Sequence, residues 1–574
     1  MGPPDPPTVQ NVNELRTPRW VWVLLTVLVI ATTAARFIGI DSLLPHAPEP
    51  DAVIVWQASY LDRPEGEGVT ARSYPATYYP TLLAHIVAGA PGHSHLTPAP
   101  PGATDDELRV VASEPYVKAR SVIALLSTLL VPFTFLVARR FFSPGWAVCA
   151  SAFVATSLLA TEYARHSRPH APSAAMNMIG VAAALVVVSR PSVRNYVTAG
   201  FAAALAVGTL HNGVFVLPAL FLAHCLARGR RWIGLALALT LVALSVWIFY
   251  PWMFNAGIFA PDDSGRLDIG GQALGAEHFT AAGFYEIPRG LFGHDPLLVI
   301  VAAVGLAVGI VACIRPATRP RGELRAQLLV LLAFPISFTL LWGMMSRVEP
   351  RFVVSLVPYA ALLATLALRS ITRAFGFGTI ASIATSLAVL AVPTYACGKH
   401  FLLAARADTW KLATRWVEEH TDRNADCIGI PFLYSLPLRE RRAGLEALPL
   451  YARNNWECYQ LALDPSMDSG WNTRWMFRAG MLADRLLSGD EAVSAARQDG
   501  VTYALVMVPA DLAISIDKTY EGISKAGELV LRIDPSDTGA PQLVGAGLDR
   551  QWRAFEFVMK SDRLGPIIEI YRMK

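Results

Sequence analysis

PLLVIVAAVGLAVGIVACIRPATRPRGELR, residues 296–325, decides how the chain is read. The run from Pro296 to Ile314 carries no charge. Coiled as a helix at 1.5 Å per residue it covers about 28 Å, close to the ~30 Å hydrocarbon core of a bilayer. Arg315, Arg319, Arg321 and Arg325 follow. Such a connection belongs on the cytoplasmic side, where anionic lipids and the insertion machinery favour basic residues. Working outward, apolar runs bounded by charge, Pro or Gly recur near 19–38, 117–138, 145–163, 173–189, 195–210, 213–228, 232–251, 296–314, 325–345, 352–369 and 376–396. That predicts about 11 transmembrane helices. Only His211, Asn212 and Gly213 separate the fifth run from the sixth.

Charge counting tests this scheme. With the N-terminal tail cytoplasmic, the short inner connections carry thirteen arginines: Arg139, Arg140, Arg190, Arg194, Arg228, Arg230, Arg231, Arg315, Arg319, Arg321, Arg325, Arg369 and Arg373. The short outer connections carry four: Arg165, Arg168, Arg347 and Arg351. Merging the fifth and sixth runs would put Arg228 to Arg231 outside and reverse every later connection, so the asymmetry favours the split. The first run lacks a small-residue cleavage site and reads as an uncleaved signal anchor. The expected location is the cytoplasmic (inner) membrane, with the N-terminus inside and the C-terminus outside.

Composition agrees. The chain has 574 residues, 53% hydrophobic and 16% charged, with mean hydropathy +0.39. Soluble domains carry roughly 25% charge. A single soluble globule, a disordered chain and a collagen-like repeat are excluded. A net charge of +4, from 49 Lys+Arg against 45 Asp+Glu, is too slight to imply a nucleic-acid partner.

The expected organisation is a cytoplasmic tail (1–18), a membrane domain (19–397) with two large outer loops (39–116 and 252–295), and an extracytoplasmic α/β domain (398–574). In the first loop, Tyr74 to Ala90 is patterned to lie along a membrane surface or to pack as a loop helix. The last domain opens on an amphipathic helix pattern headed by Asp408 and continues in strand-like runs at Cys427–Leu433, Val501–Val508, Glu528–Ile533, Ala554–Met559 and Ile567–Tyr571. A helical stretch is expected at Trp475–Leu487. Cys149, Cys225 and Cys313 fall in spans. Cys397, Cys427 and Cys458 fall outside, where a Cys427–Cys458 disulfide is one pairing and Cys397 competes for it.

Ion-coupled transporters keep ionisable groups near the bilayer midplane. Here the span interiors are almost free of them, Asn177 being a polar exception, and the ionisable residues gather at predicted outer helix ends. Those ends read, in order, His46-Ala-Pro-Glu49-Pro50-Asp51; Ser73-Tyr-Pro-Ala-Thr-Tyr78-Tyr79; Lys118-Ala-Arg120; Glu162-Tyr-Ala-Arg165-His166-Ser-Arg168-Pro169-His170; and Arg347-Val-Glu349-Pro-Arg351-Phe352.

In these motifs, over residues 19–396, the chain resembles the GT-C superfamily of polyprenyl-phosphate-sugar glycosyltransferases, in particular the protein O-mannosyltransferase and lipid A aminoarabinose transferase family. The resemblance implies a polytopic α-helical membrane protein carrying an extracytoplasmic α/β domain. It implies Asp51 as catalytic base, in the place of the family's His-Pro-Asp-Glu. The acid that follows in the family is replaced by Ala52, and Glu49 precedes the pair instead. It implies an important arginine at Arg120, and it matches Arg168-Pro169-His170 to an Arg-Pro-Tyr motif, Arg351-Phe352 to an Arg-Tyr pair, and Tyr78 and Tyr79 to a tyrosine-rich segment.

The chemistry fits the residue types. A sugar on a polyprenyl phosphate already has a good leaving group, so one carboxylate suffices, unlike the two of a glycosidase. Arg120, Arg165, Arg168, Arg347 and Arg351 form the pool that can bind the donor phosphate. Glu49, Tyr78, Tyr79 and His170 are the expected substrate contacts. The partners expected are a polyprenyl-phosphate-linked sugar, membrane lipids and a lipid, glycan or protein acceptor. No cofactor is predicted and no metal ligand is assigned: His46, His166 and His170 show no metal-ligand spacing and read as surface residues, and a divalent ion is left open. Plainer readings stand beside these. An arginine at a helix end also serves as an interface anchor, Asp51 can cap a helix starting at Ala52, and Asp262-Asp263 reads first as a turn. The rival functions are a transporter or flippase, and a non-catalytic membrane protein with a degenerate site.

Overall fold

The computed structural model describes residues 17–46, 80, 83, 87, 104–250, 267–269, 272–315, 322–430, 436–441, 443, 470–475, 489–508, 514–536, 548 and 551–574. They fall into two compact units. One holds the helix Arg19–Phe37 and the described residues from Ile123 to Cys397. The other joins Ile38–His46 and 104–122 to the described residues of Gly398–Lys574, so part of the first large loop belongs to the same unit as the C-terminal residues.

The first unit is helical. Eight described helices are long and apolar enough to cross a membrane: Arg19–Phe37, Tyr116–Ala138, His170–Ser189, Trp232–Phe249, Pro296–Ile314, Gly322–Met344, Pro350–Ala374 and one within Thr379–His420. The protein is therefore a multi-pass membrane protein. The other three apolar runs also form helix but in shorter pieces. Run 145–163 breaks at Ser157, whose hydroxyl caps the next segment, Leu158–Tyr163, by accepting from Ala160 N. The fifth and sixth runs form Val193–Thr209 and, after a 3₁₀ turn at His211–Phe215, Val216–Leu226. The turn is tight: a Cβ on Gly213 would lie 2.2 Å from the Ala206 carbonyl oxygen. The chain does separate at His211–Gly213.

Helix contacts rely on small residues, as expected where lipid supplies no hydrophobic drive between helices. Val193–Thr209 meets Trp232–Phe249 at Gly200, where a Cβ would come within 2.4 Å of the Ala238 Cα. Polar groups at the arginine-rich connections tie neighbouring ends: Gln327 Nε2 donates to Ser189 Oγ (2.9 Å), and Arg369 Nη1 donates to the Phe141 carbonyl (3.3 Å).

The second unit is built on a five-stranded sheet ordered β4-β3-β5-β7-β6, with β3 Cys427–Ile430, β4 Asn472–Trp475, β5 Tyr503–Met507, β6 Gly527–Ile533 and β7 Ile568–Met573; β1 Leu267–Ile269 and β2 Gln272–Leu274 form a separate hairpin in the first unit. β3 pairs parallel with β4 and β5, while β7 runs antiparallel to β5 and β6. Ile428, Ile430, Leu505, Ile568 and Ile570 face the helix Thr409–His420 through Trp410, Ala413 and Val417, together with Leu108 and Ala112 of the helix Asp105–Thr128. Cys427, Ala504, Val506 and Tyr571 pack with Val493, Ala496 and Ile523 on the other side. This alternation places helices on both faces of the sheet.

Two local expectations are corrected. Ala554–Met559 is not a strand: Ala554, Phe557 and Val558 are buried at helical spacing and the segment forms the helix Ala554–Lys560. β4 appears where no strand was expected, and Trp475 ends that strand rather than opening a helix; residues 476–488 lie outside the described residues. The helix headed by Asp408 is as read, its carboxylate accepting from Lys411 N at 2.9 Å.

Candidate active site at the helix ends

Within the helical unit, the segment after Leu158–Tyr163 turns at Pro169 and re-enters helix at His170. Pro169 cannot donate a backbone hydrogen bond, and it occupies the N-cap position of the new helix. The turn carries Arg165, His166, Arg168 and His170. Arg165 is 3% exposed and His170 1%. His166 Nε2 lies 3.3 Å from Glu162 Oε1, one turn back on the same face.

Phe352 brings the second cluster to the first. Its ring lies 5.5 Å from His170 and stacks on Trp342 at 4.7 Å, and the Arg351 guanidinium sits over it at 5.1 Å. Trp342 Nε1 donates to Asn212 Oδ1 (3.2 Å), which ties in the tight turn at His211–Gly213. Arg351, Arg168, His211 and His166 are the ionisable neighbours of buried His170. Glu349 joins the cluster through ion pairs to Arg347 and Arg351. The result is a cationic, partly desolvated surface backed by aromatic rings. Guanidiniums in that setting bind phosphate or carboxylate more strongly than in open water, because less water competes for their donors.

Of the residues expected from sequence, Arg165, Arg168, Arg347, Arg351 and His170 therefore lie within the helical unit. Arg120 is in the other unit, 3% exposed, and its Nη1 donates to the carbonyls of Ile40 (2.8 Å) and Ser42 (2.9 Å). There it fixes the chain leaving the first helix. Asp51, Glu49, Tyr78 and Tyr79 lie outside the described residues, as do Asp262 and Asp263. Among the described residues no group of three or more His, Cys, Asp or Glu is placed to hold a metal ion.

Two of the three histidines that sequence had at the surface are buried, and His166 is half-buried. His170 is buried, and so is His46 at 0% exposure, its Nε2 3.1 Å from Asp408 Oδ1. One Asp408 carboxylate thus caps the helix Thr409–His420 and anchors the first loop just ahead of Glu49 and Asp51. Cys397, expected outside the spans, is buried in the helix Thr379–Ala405, with its thiol donating to the Thr156 carbonyl (3.1 Å). Cys427 is a buried free thiol, and Cys458 lies outside the described residues. Asn177 donates to Ser355 Oγ at 3.2 Å, a plain interhelical bond.

Three acids were not singled out by sequence. Glu162 and Glu349 stand inside motifs that were quoted for their arginines. Asp295 gave no signal at all: it precedes an apolar run, yet it accepts from Ser157 Oγ (2.5 Å) and Leu158 N (2.7 Å). Burial outweighs those bonds and pushes its carboxyl up to about 6.

Comparison with known proteins gives structural likeness only. No family model matches the sequence, and no curated protein matches it. Among solved structures the chain is similar to the oligosaccharyltransferase of Archaeoglobus fulgidus, at 12% identity and TM-score 0.48 over 90% of this chain and 73% of that one. It is similar to ArnT from Cupriavidus metallidurans bound to undecaprenyl phosphate, at 13% identity and TM-score 0.44 over 96% and 98%. It is also similar to the mycobacterial arabinofuranosyltransferase AftD, at 17% identity and TM-score 0.44 over 97% and 40%. At these scores the functional reading has to come from the residues.

Proposed function

We propose that the protein is an inverting glycosyltransferase of the cytoplasmic membrane. It takes a sugar from a polyprenyl-phosphate carrier and hands it to a hydroxyl of a lipid, glycan or protein on the outer face. The observation that carries this reading is the cluster of Arg168, Arg351 and His170 at two converging helix ends, half-buried or buried and backed by Phe352 and Trp342, with buried Arg165 in the same turn as Arg168. A membrane-embedded phosphate presents its head group at that level, and guanidiniums there stabilise the charge that gathers on it as the glycosidic bond breaks.

In this mechanism Asp51 takes the acceptor's proton while the acceptor oxygen attacks the anomeric carbon from the face opposite the phosphate. The bond to phosphate breaks, its electrons stay on the phosphate, and the configuration inverts. Arg120 serves by holding the backbone at Ile40 and Ser42, upstream of Asp51, rather than by touching phosphate. The test uses the full chain in detergent micelles with a panel of radiolabelled polyprenyl-phosphate sugars and a mixed lipid and glycan acceptor pool. Transfer from at least one donor, lost in Asp51→Asn, supports the reading. Donor-independent transport of a lipid across vesicles, unaffected by Asp51→Asn, would overturn it.

A further inference from the structure

Glu349 stands at the N-cap of the helix Pro350–Val353 with an extended backbone (φ −85°, ψ 152°), yet its carboxylate accepts nothing from that helix. It lies instead between two guanidiniums. Oε1 is 2.6 Å from Arg347 Nη2, and Oε2 is paired with Arg351 Nη1. The partners differ in setting: the Arg351 side chain is 11% exposed, like that of Glu349, whereas Arg347 is 70% exposed. Neighbouring backbone holds the loop in place. Ser346 N donates to the His278 carbonyl (2.6 Å), Gly283 N donates to the Met345 carbonyl (2.9 Å), and Val348 N donates to Glu286.

A second observation comes from His170. It is 1% exposed, among the described residues neither ring nitrogen has a hydrogen-bond partner, and its ring lies 5.5 Å from the Phe352 ring that also carries the Arg351 guanidinium. A buried polar ring left unpaired inside a basic cluster marks the place of a ligand oxygen.

We propose that Glu349 is the internal counter-anion of the phosphate site. In the ligand-free chain it neutralises Arg351, and the phosphate of a polyprenyl carrier displaces it there while His170 hydrogen-bonds the same phosphate. The inference rests on the reading of the helix-end cluster as the donor-phosphate site. It explains why one carboxylate is flanked by two arginines: once displaced from buried Arg351, Glu349 stays paired with exposed Arg347, so no buried charge is stranded. It also addresses release. The donor is a phosphodiester and the product a phosphomonoester with more negative charge, which a bare arginine cluster would hold harder than the substrate. A competing carboxylate weakens the product's hold most.

The test compares wild type, Glu349→Gln and Glu349→Asp as full chains in detergent, measuring polyprenyl monophosphate affinity and transfer kinetics. Glu349→Gln is expected to bind the monophosphate about tenfold tighter, with lower donor KM and lower kcat as release slows. Equal or weaker monophosphate binding overturns the proposal, since a purely structural Glu349 would give that result. If the Gln variant does not fold, Glu349→Asp is read in its place. Its shorter side chain loses reach to Arg351, tightening of about threefold is expected, and no tightening overturns the proposal. Inorganic phosphate and phosphatidylglycerol vesicles run in parallel, and equal tightening for either overturns the assignment to the carrier. Wild type that binds no polyprenyl monophosphate at all refutes the donor-site reading itself, a different outcome from an unresponsive Glu349.

Discussion

Arginine is used in two ways in the helical unit. In the arginine-rich connections Arg194, Arg228, Arg230, Arg231 and Arg315 are exposed, while Arg369 bonds a backbone carbonyl and lies over the Phe142 ring. In the arginine-poor connections Arg165 is buried, and Arg351 is nearly so, stacked over Phe352 and paired with Glu349. An exposed guanidinium keeps its hydration and needs no partner. A desolvated one is expensive unless an anion meets it, so it persists where an anion is to be bound. Buried Arg165 and nearly buried, ion-paired Arg351 carry more functional information than the exposed arginines of the other connections.

The strongest way to break this comparison is to remove the acid assigned to the chemistry. Asp51→Asn should lower sugar transfer by about 10²–10⁴-fold, the usual contribution of a general base, while leaving donor binding in place. Transfer retained within tenfold in the purified variant would take the chemistry away from the first loop.

The next test sharpens it directly. Arg168→Lys keeps the charge but loses the planar fork, and should cost roughly 10- to 100-fold in kcat/KM at limiting donor. Arg190→Lys, in an arginine-rich connection, should stay within about twofold. Equal effects at both positions would erase the distinction between the two sets of arginines.

Asp295 predicts a stability effect of intermediate size. Its folded-state value of about 6 lies above the ordinary aspartate value, so the folded chain holds this proton more tightly than the unfolded one. The stabilisation is complete below pH ~4 and is lost as pH rises through about 6, on the order of 3 kcal/mol in all. Thermal unfolding should therefore show a fall in Tm between about pH 4 and 6 that Asp295→Asn flattens. A Tm in the variant with the same pH slope as wild type would assign that slope to another group.

The smallest expected effect concerns orientation. Cys458 should react with a membrane-impermeant maleimide in intact cells if everything after residue 397 is outside, as the arginine count predicts. Labelling only after the membrane is opened would exchange the two sets of arginines and with them the reading of the site.

Much of this was legible before any fold was drawn. The apolar runs and the chain break at His211–Gly213 were readable because lipid imposes length, apolarity and backbone satisfaction on every segment separately. The helix after Asp408 and most strands were readable because local pattern and burial agree. Ala554–Met559 was misread because six apolar-rich residues fit a strand or one buried helical turn equally well, and only their neighbours decide. The arginines of the site were visible in sequence, whereas Glu349 and Glu162 were not weighed as members of it and buried Asp295 gave no signal. An acid's role depends on which guanidinium or amide it meets across the fold, and Asp295 meets Ser157 across 138 positions of chain.

Sequence by itself determined that this chain crosses a membrane several times, ends in an α/β unit and keeps its ionisable groups near helix ends, because each of those properties is a sum over neighbouring residues. Only the tertiary structure decided that His46 and His170 are buried, that Arg120 holds backbone carbonyls, and that Glu349 stands between Arg347 and Arg351. Burial and pairing are set by residues distant in the chain, and the cost of desolvating a charge has no counterpart in a local pattern.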